Sequence, residues 1–404
     1  MTTKRKFTVI CVVFVLIAIL SINGSAVHTI RAQENPQRTV RLALWLAKKD
    51  ELLAHETANY DLVMTGWFEP QEAAAIEERY PSVSLLSGLT HTWVWDNPGW
   101  LQFLVTVANG GDANGPLQIT EDMYLMFDDN GDGALDRRCS PPGWADIYAM
   151  DPRHPQWQAL ILAFYDTVAH QPQHDGIVID MLDAYPFCDG AQSGGVAVPL
   201  DATTWITAQD ELLSLIQDHV PDDKWIIANA GHDFAADSPF PAHLNGYVLE
   251  NFLGSWGADL PEGLASAQRA LATTQAPHIV VFAVDTDDTG IVDGPRFRTG
   301  IAASLLLDNT YFAFDYGSRD HGGVADWWRS EYDHIVLGEP LGPFTFDAGV
   351  YRRDFAAGSV IIATEQAASV QFDALHTNLL TGESGTEFTI PPGDAGIMLP
   401  ADEF

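Results

Sequence analysis

His174-Asp-Gly-Ile-Val-Ile-Asp-Met-Leu-Asp-Ala-Tyr185 runs a short apolar segment straight into two carboxylates and then an aromatic ring. The unbroken run from Gly176 to Ile179 has the texture of a strand buried on both faces, as parallel sheets require. Asp180 and Asp183 follow at its carboxyl end. In α/β barrels chemistry gathers where the strands end and loops leave a packed scaffold, so position alone makes Asp180 a candidate catalytic residue. Capping of the next helix is the competing reading of a single such Asp.

Seven other segments share that strand character: Val40–Leu46, Tyr60–Thr65, Val83–Leu89, Trp225–Ala230, Gly246–Glu250, Ile279–Val284 and Tyr311–Asp315. Helical patterns lie between them, over Lys48–Thr57, Pro70–Arg79, Pro98–Val107, Pro155–Ala169, Ala202–His219, Pro261–Thr274, Pro295–Leu307 and Val324–Val336. Several open with Pro at the first turn, where its missing N–H costs nothing. Eight alternating units predict an α/β fold, a closed (β/α)8 TIM barrel over residues 40–337. The stretch from His91 to His174 is too long for a simple crossover and must carry structure of its own. After Gly338 the texture changes to short strands with turns, so residues 338–404 read as a small C-terminal antiparallel β module of sandwich-like type.

The N-terminus has Lys4-Arg5-Lys6, an apolar run from Phe7 to Leu20, and Gly24-Ser25-Ala26, which together fit a signal peptide over residues 1–26 followed by a linker over 27–39. The expected product is secreted. If Ser21 and Ile22 extend the apolar run, the segment instead stays as a membrane anchor. Net charge is −35, from 20 Lys and Arg against 55 Asp and Glu, and such a surface repels nucleic acid and anionic lipid. Neutral or cationic substrates fit it better. Removal of Cys11 with the signal leaves Cys139 and Cys188, both in loops expected at the same end of the barrel, and an oxidising compartment favours a bridge between them.

The predicted strand ends collect a ring of polar and aromatic groups: Trp45, Trp67, His91, Trp93, Asp180, Asn229, Glu250, Asn251, Asp285 and Asp315, with Asp183 and Tyr185 close behind. Acids for proton transfer, amides for hydroxyls and indoles for ring faces suit a carbohydrate. Glycoside cleavage needs two carboxyl groups, one ionised and one protonated, and Asp180 with Glu250 is the predicted pair. Glu250 ends an apolar strand, where an unpaired structural carboxyl would cost several kcal/mol. Asp180 is then nucleophile or base and Glu250 the proton donor, with Asp183 able to stand in for Asp180.

No HExxH, HxH, GxSxG, Walker or GxGxxG pattern competes, which demotes metal-dependent, serine and nucleotide-dependent hydrolases. Asp128, Asn130, Asp132 and Asp136 occupy the first, third, fifth and ninth places of an EF-hand-like loop, with Gly133 at the sixth. A structural calcium there and a plain Asp/Asn/Gly turn are both open, and no cofactor is required for the chemistry.

The phrases Tyr124-Leu-Met-Phe-Asp-Asp-Asn-Gly-Asp132, Ala149-Met-Asp151, Asp175-Gly-Ile-Val-Ile-Asp-Met-Leu-Asp183, Val350-Tyr-Arg-Arg-Asp-Phe355 and Gly358-Ser-Val-Ile-Ile362 resemble the glycoside hydrolases grouped as hypothetical glycosyl hydrolase family 15, which are similar to polygalactosaminidase-like barrels. The resemblance spans roughly residues 40–400. It implies a (β/α)8 barrel with a C-terminal β module and acids at the ends of strands four and six, which here are Asp180 and Glu250. A secreted glycoside hydrolase is the leading expectation. A carbohydrate-binding barrel without catalysis and another hydrolase class on the same scaffold are the alternatives, because barrels host many chemistries.

Overall fold

The computed structural model describes residues 38–46, 52–53, 59–88, 90–182, 187–231, 238–319, 321 and 328–401. The signal segment, most of the linker, most of the helix expected over Lys48–Thr57, the start of that over Val324–Val336, and both Asp183 and Tyr185 lie outside the described residues.

Eight strands form one parallel sheet: β1 (Ala43–Trp45), β2 (Leu62–Thr65), β3 (Ser84–Ser87), β4 (Gly176–Ile179), β5 (Trp225–Asn229), β6 (Gly246–Leu249), β7 (Ile279–Asp285) and β8 (Thr310–Asp315), paired in chain order. The sheet closes on itself, because Leu42 bridges Phe312 and the Phe312 N–H donates to the Arg41 carbonyl at 2.8 Å. Strand alternation sorts the side chains into two layers. Ala43, Leu62, Leu86, Val178, Ile227, Val248, Val281 and Ala313 fill the barrel interior. Their neighbours Leu44, Val63, Leu85, Ile177, Ile179, Leu249 and Phe282 face outward into the larger core shared with the helices. A strand apolar at every position is the consequence, and that is the texture of Gly176–Ile179.

Helices α1 (Pro70–Arg79), α2 (Pro98–Ala108), α3 (Pro155–Ala169), α4 (Ala202–His219), α5 (Leu260–Thr273) and α6 (Gly294–Ser304) connect the strands or adorn the connections. Asn97, Asp201, Asp259 and Asp293 each accept a first-turn N–H that the helix itself leaves open. Between β3 and β4 the chain adds α2, a short ladder pairing Trp93–Trp95 with Ile147–Ala149, and a hairpin pairing Met126–Phe127 with Arg137–Arg138, before α3 returns it to the barrel. Cys139 in this insertion is bonded to Cys188 in the connection after β4, with Cα atoms 5.8 Å apart.

The C-terminal strands β9 (Thr345–Asp347), β10 (Val350–Asp354), β11 (Ser359–Ala363), β12 (Ala368–Asn378), β13 (Glu383–Ile390) and β14 (Asp394–Pro400) pair antiparallel in the order β9-β10-β11-β14-β12-β13. They make one sheet. Val360, Ile362, Ala395 and Ile397 join the barrel-side core, whereas Ile361, Ala363, Val370, Phe388, Ile390 and Met398 form a second small core on the opposite face. A register shift in β12 between Gln371 and His376 accompanies that second layer, as bulges do where a sheet bends. The sheet is clamped to α6 by Arg298, which donates to both Asp394 oxygens at 2.8 and 2.7 Å, and by Thr299, which donates to the Gly393 carbonyl.

Candidate active site

The alternation that fills the barrel also aims its polar ends. Asp180 has the parity of Val178, Asn229 that of Ile227 and Glu250 that of Val248, so all three continue inward-facing rows at the mouth. There they line a cleft of about 800 Å³ together with residues that follow every barrel strand. Asn229 joins the two acids: its Nδ2 donates to Asp180 Oδ1 at 2.8 Å and to Glu250 Oε2 at 2.7 Å. The amide orientation is fixed by chemistry, because its Oδ1 accepts the Gly231 N–H at 2.9 Å and leaves only the NH₂ for the carboxyls. Two bonds from one nitrogen hold those carboxyl oxygens within about 5.5 Å of each other.

Burial and mutual repulsion split the two acids. Glu250 is pushed up to about 8 by burial first and by the Asp180 charge next, against the pull of His321 and Asn229. Burial also raises Asp180, while Asn229, His321 and the Met181 N–H, which donates at 2.9 Å, favour its ionised form. Two groups so close share one proton, and the balance places it on Glu250 near neutral pH. His321 accompanies them. Burial disfavours its cation, but Asp315, whose Oδ2 lies 2.7 Å from His321 Nδ1, and then Glu250 and Asp180 hold it at about 9. Asp315 itself is raised to about 6 by burial, against the attraction of His321.

Of the predicted substrate contacts, Trp93 and Asn229 line the cleft with the acids. Trp45, Trp67, His91, Asn251, Asp285 and Asp315 do not line it, and each has a structural reason. Trp45 is buried in the barrel, edge-on beneath His321 with ring centroids 6.2 Å apart. Trp67 packs against Phe103 and His174 and donates to Glu69. His91 is fully buried and pushed down to about 3 by that burial, so it is a neutral core imidazole. Asn251, at φ 51°, donates to both Asp285 oxygens at 2.8 and 2.9 Å and accepts the N–H groups of Trp256 and Gly257, both at 3.0 Å. It thereby shapes the loop that carries Trp256. A Cβ on Gly257 would sit 1.8 Å from the Asn251 carbonyl, so this close approach needs glycine. Asp315 is taken by His321.

The side chains of the Asp-rich loop bond largely to its own backbone. Asp128 accepts the N–H groups of Gly131 and Gly133 at 2.6 and 2.8 Å, Asn130 that of Asp132, Asp132 that of Ala134, and Asp136 that of Asp129. These are Asx turns closing the hairpin, and Cys139 at the twelfth place is disulfide-bonded. Among the described residues no three His, Cys, Asp or Glu are grouped to hold a metal ion.

Several cleft residues carried no sequence signal that singled them out: Trp100, Trp144, Phe187, Trp256, Arg319 and His321. Trp95 could have been found, since it is two residues from Trp93 on one strand and shares its face. Trp95, Trp256 and Phe187, all lining the cleft, are 43%, 42% and 42% exposed.

Comparison with known proteins assigns this architecture. In Amy13B of Eubacterium rectale, the fold matches over 93% of this chain and 99% of that one, at TM-score 0.52 and 9% identity. A cyclic α-maltosyl-(1→6)-maltose hydrolase of Arthrobacter globiformis aligns over 91% and 97% at TM-score 0.49 and 11% identity, and Ega3 of Aspergillus fumigatus, solved with galactosamine, over 71% and 94% at 0.44 and 9%. At such identities the likeness to Amy13B is one of fold. No curated protein matches the chain. The model of hypothetical glycosyl hydrolase family 15 matches residues 120–359, more than half of the chain and the part that carries Asp180, Asn229 and Glu250, and the chain therefore belongs to that family.

Proposed function

We propose that this protein is a secreted, retaining glycoside hydrolase that cleaves an oligo- or polysaccharide, with Asp180 as nucleophile and Glu250 as proton donor. The observation that carries the reading is the sharing of Asn229 by the two carboxyls. Carboxyl oxygens no more than about 5.5 Å apart suit direct attack by one acid on the sugar, whereas carboxyls about 6.5–9.5 Å apart would leave room for a water between. Ionised Asp180 attacks the anomeric carbon while Glu250 gives its proton to the departing glycosidic oxygen. A water then attacks the same carbon, its proton goes to Glu250, and Asp180 is released. Two carboxyls and water balance the reaction without a cofactor. The exposed rings of Trp95, Trp256 and Phe187 offer faces for sugar C–H groups.

Export rests on the basic, apolar and small-residue pattern of residues 4–26; among the described residues no helix is long and apolar enough to cross a membrane. The test is a glycan screen with wild type beside Asp180→Asn and Glu250→Gln. Hydrolysis by the wild type with no turnover by either folded variant supports the reading. Normal turnover by both variants overturns it, and glycan binding without any cleavage by wild type points to a carbohydrate-binding barrel.

A further inference from the structure

Among the described residues that line the cleft, the cationic side chains are Arg319 and His321. Arg319 is exposed at the rim, its guanidinium 5.7 Å from the ring of Trp144. His321 is nearly buried, with 12% of its side chain exposed, and its Nδ1 is engaged by Asp315 of β8. Trp45 of β1 closes one side of the ring. Asp180, just past β4, and Glu250, just past β6, line the same cleft as His321 and favour its cation, with Asp285 and Asp288 beyond Asp315. With Nδ1 bound by Asp315, no hydrogen bond to the remaining ring nitrogen is formed among the described residues.

Resting on the reading above, we propose that His321, oriented by Asp315, is the positioning residue that supplies one fixed positive charge to both catalytic acids. The chemistry gives that charge a purpose. Before reaction the pair carries one negative charge on Asp180 and one proton on Glu250. When the Asp180 oxygen bonds to the anomeric carbon and Glu250 yields its proton to the leaving oxygen, the negative charge moves to Glu250. The second half-reaction returns it. A cation facing both groups balances the charge at every stage, without rearrangement. The shift of Glu250, held below the value that burial and Asp180 alone would set, agrees with this placement.

The experiment compares pH–rate profiles of wild type, His321→Gln, His321→Lys and Asp315→Asn, with histidine-selective NMR titration of the same proteins. His321→Gln should lose about 10²-fold in kcat/KM. Both of its limbs should move up by about one pH unit, because loss of a nearby cation makes Asp180 harder to ionise and Glu250 harder to deprotonate. His321→Lys should restore the limb positions in part. In the NMR titration of wild type one imidazole should stay protonated to about pH 9, and Asp315→Asn should bring it down toward the ordinary histidine range. A His321→Gln enzyme slowed with unmoved limbs would show a merely structural role and overturn the proposal. A His321 imidazole titrating at its ordinary value would overturn it as well, and that readout needs no substrate. Should wild type cleave no glycan, the hydrolase reading fails, while the titration still decides whether the Asp315 pairing fixes the cation.

Discussion

Asn229 joins the two acids of this site by one amide nitrogen, and the consequences of that bond can be measured. Removing the amide in Asn229→Ala takes a hydrogen bond from both carboxyls, but the ionised Asp180 depends on it more than a protonated Glu250 does. The acid limb of the kcat/KM profile should therefore rise, with about 10²-fold lost at neutral pH. In wild type the alkaline limb should fall near pH 8, since activity needs Glu250 protonated and the proton leaves as pH rises through that value. An alkaline limb unrelated to Glu250, unchanged in position by Glu250→Asp, would contradict the assignment. The meeting of Asp180 and Glu250 at one mouth was legible in the sequence because each carboxylate follows an apolar barrel strand at a parity that aims it inward. His321 was not. It lies in a polar Gly-rich loop where no periodicity or spacing distinguishes a ligand from a turn, and only the closure of the barrel brings it beside strands four and six.

The elements that frame the site were readable in proportion to their regularity. All eight barrel strands follow apolar runs, and of the six described helices four begin at a capping Asp or Asn and five carry Pro in the first turn, so local signals agree with the final packing. The insertion between β3 and β4 escaped detail, since its two-residue and three-residue ladders are too short to show alternation and are held by tertiary contacts instead. The Cys139–Cys188 bond fastens that insertion to the connection after β4, across 49 residues of chain. Loop-closure entropy for that length gives about 4 kcal/mol of stabilisation. Cys139→Ser with Cys188→Ser should lower the denaturant midpoint accordingly and loosen substrate binding through Trp93, Pro141 and Trp144, raising KM more than it lowers kcat. Unchanged unfolding under reducing and non-reducing conditions would argue that the bond contributes nothing. In the loop at Asp128–Asp136, Asp128, Asp132 and Asp136 accept backbone N–H groups and Asp129 pairs with Arg137, so chelation should leave activity and midpoint unaltered, and a drop in either on adding EDTA would favour calcium there.

At the scale of the whole molecule, an acidic surface of net charge −35 surrounds a cleft whose rings favour sugar faces. Anionic polysaccharides should be poor substrates at low ionic strength relative to neutral ones, and the gap should narrow as salt shortens the screening length from about 10 Å at 0.1 M to about 3 Å at 1 M. A preference for uronate polymers at low salt would mean that the cleft, through Arg319, overrides the field of the surface. The family is one of glycoside hydrolases, the mechanism proposed for this member is covalent, and the step peculiar to that proposal is the bond between Asp180 and the sugar. Mass mapping of peptides after reaction with a mechanism-based fluorosugar, matched to the glycan found by screening, reads that bond directly. The account predicts one sugar per chain, on Asp180, with labelling abolished in Asp180→Asn. A sugar carried by Glu250 or another residue, or a fully active enzyme that never accumulates a label with any matched fluorosugar, would contradict it.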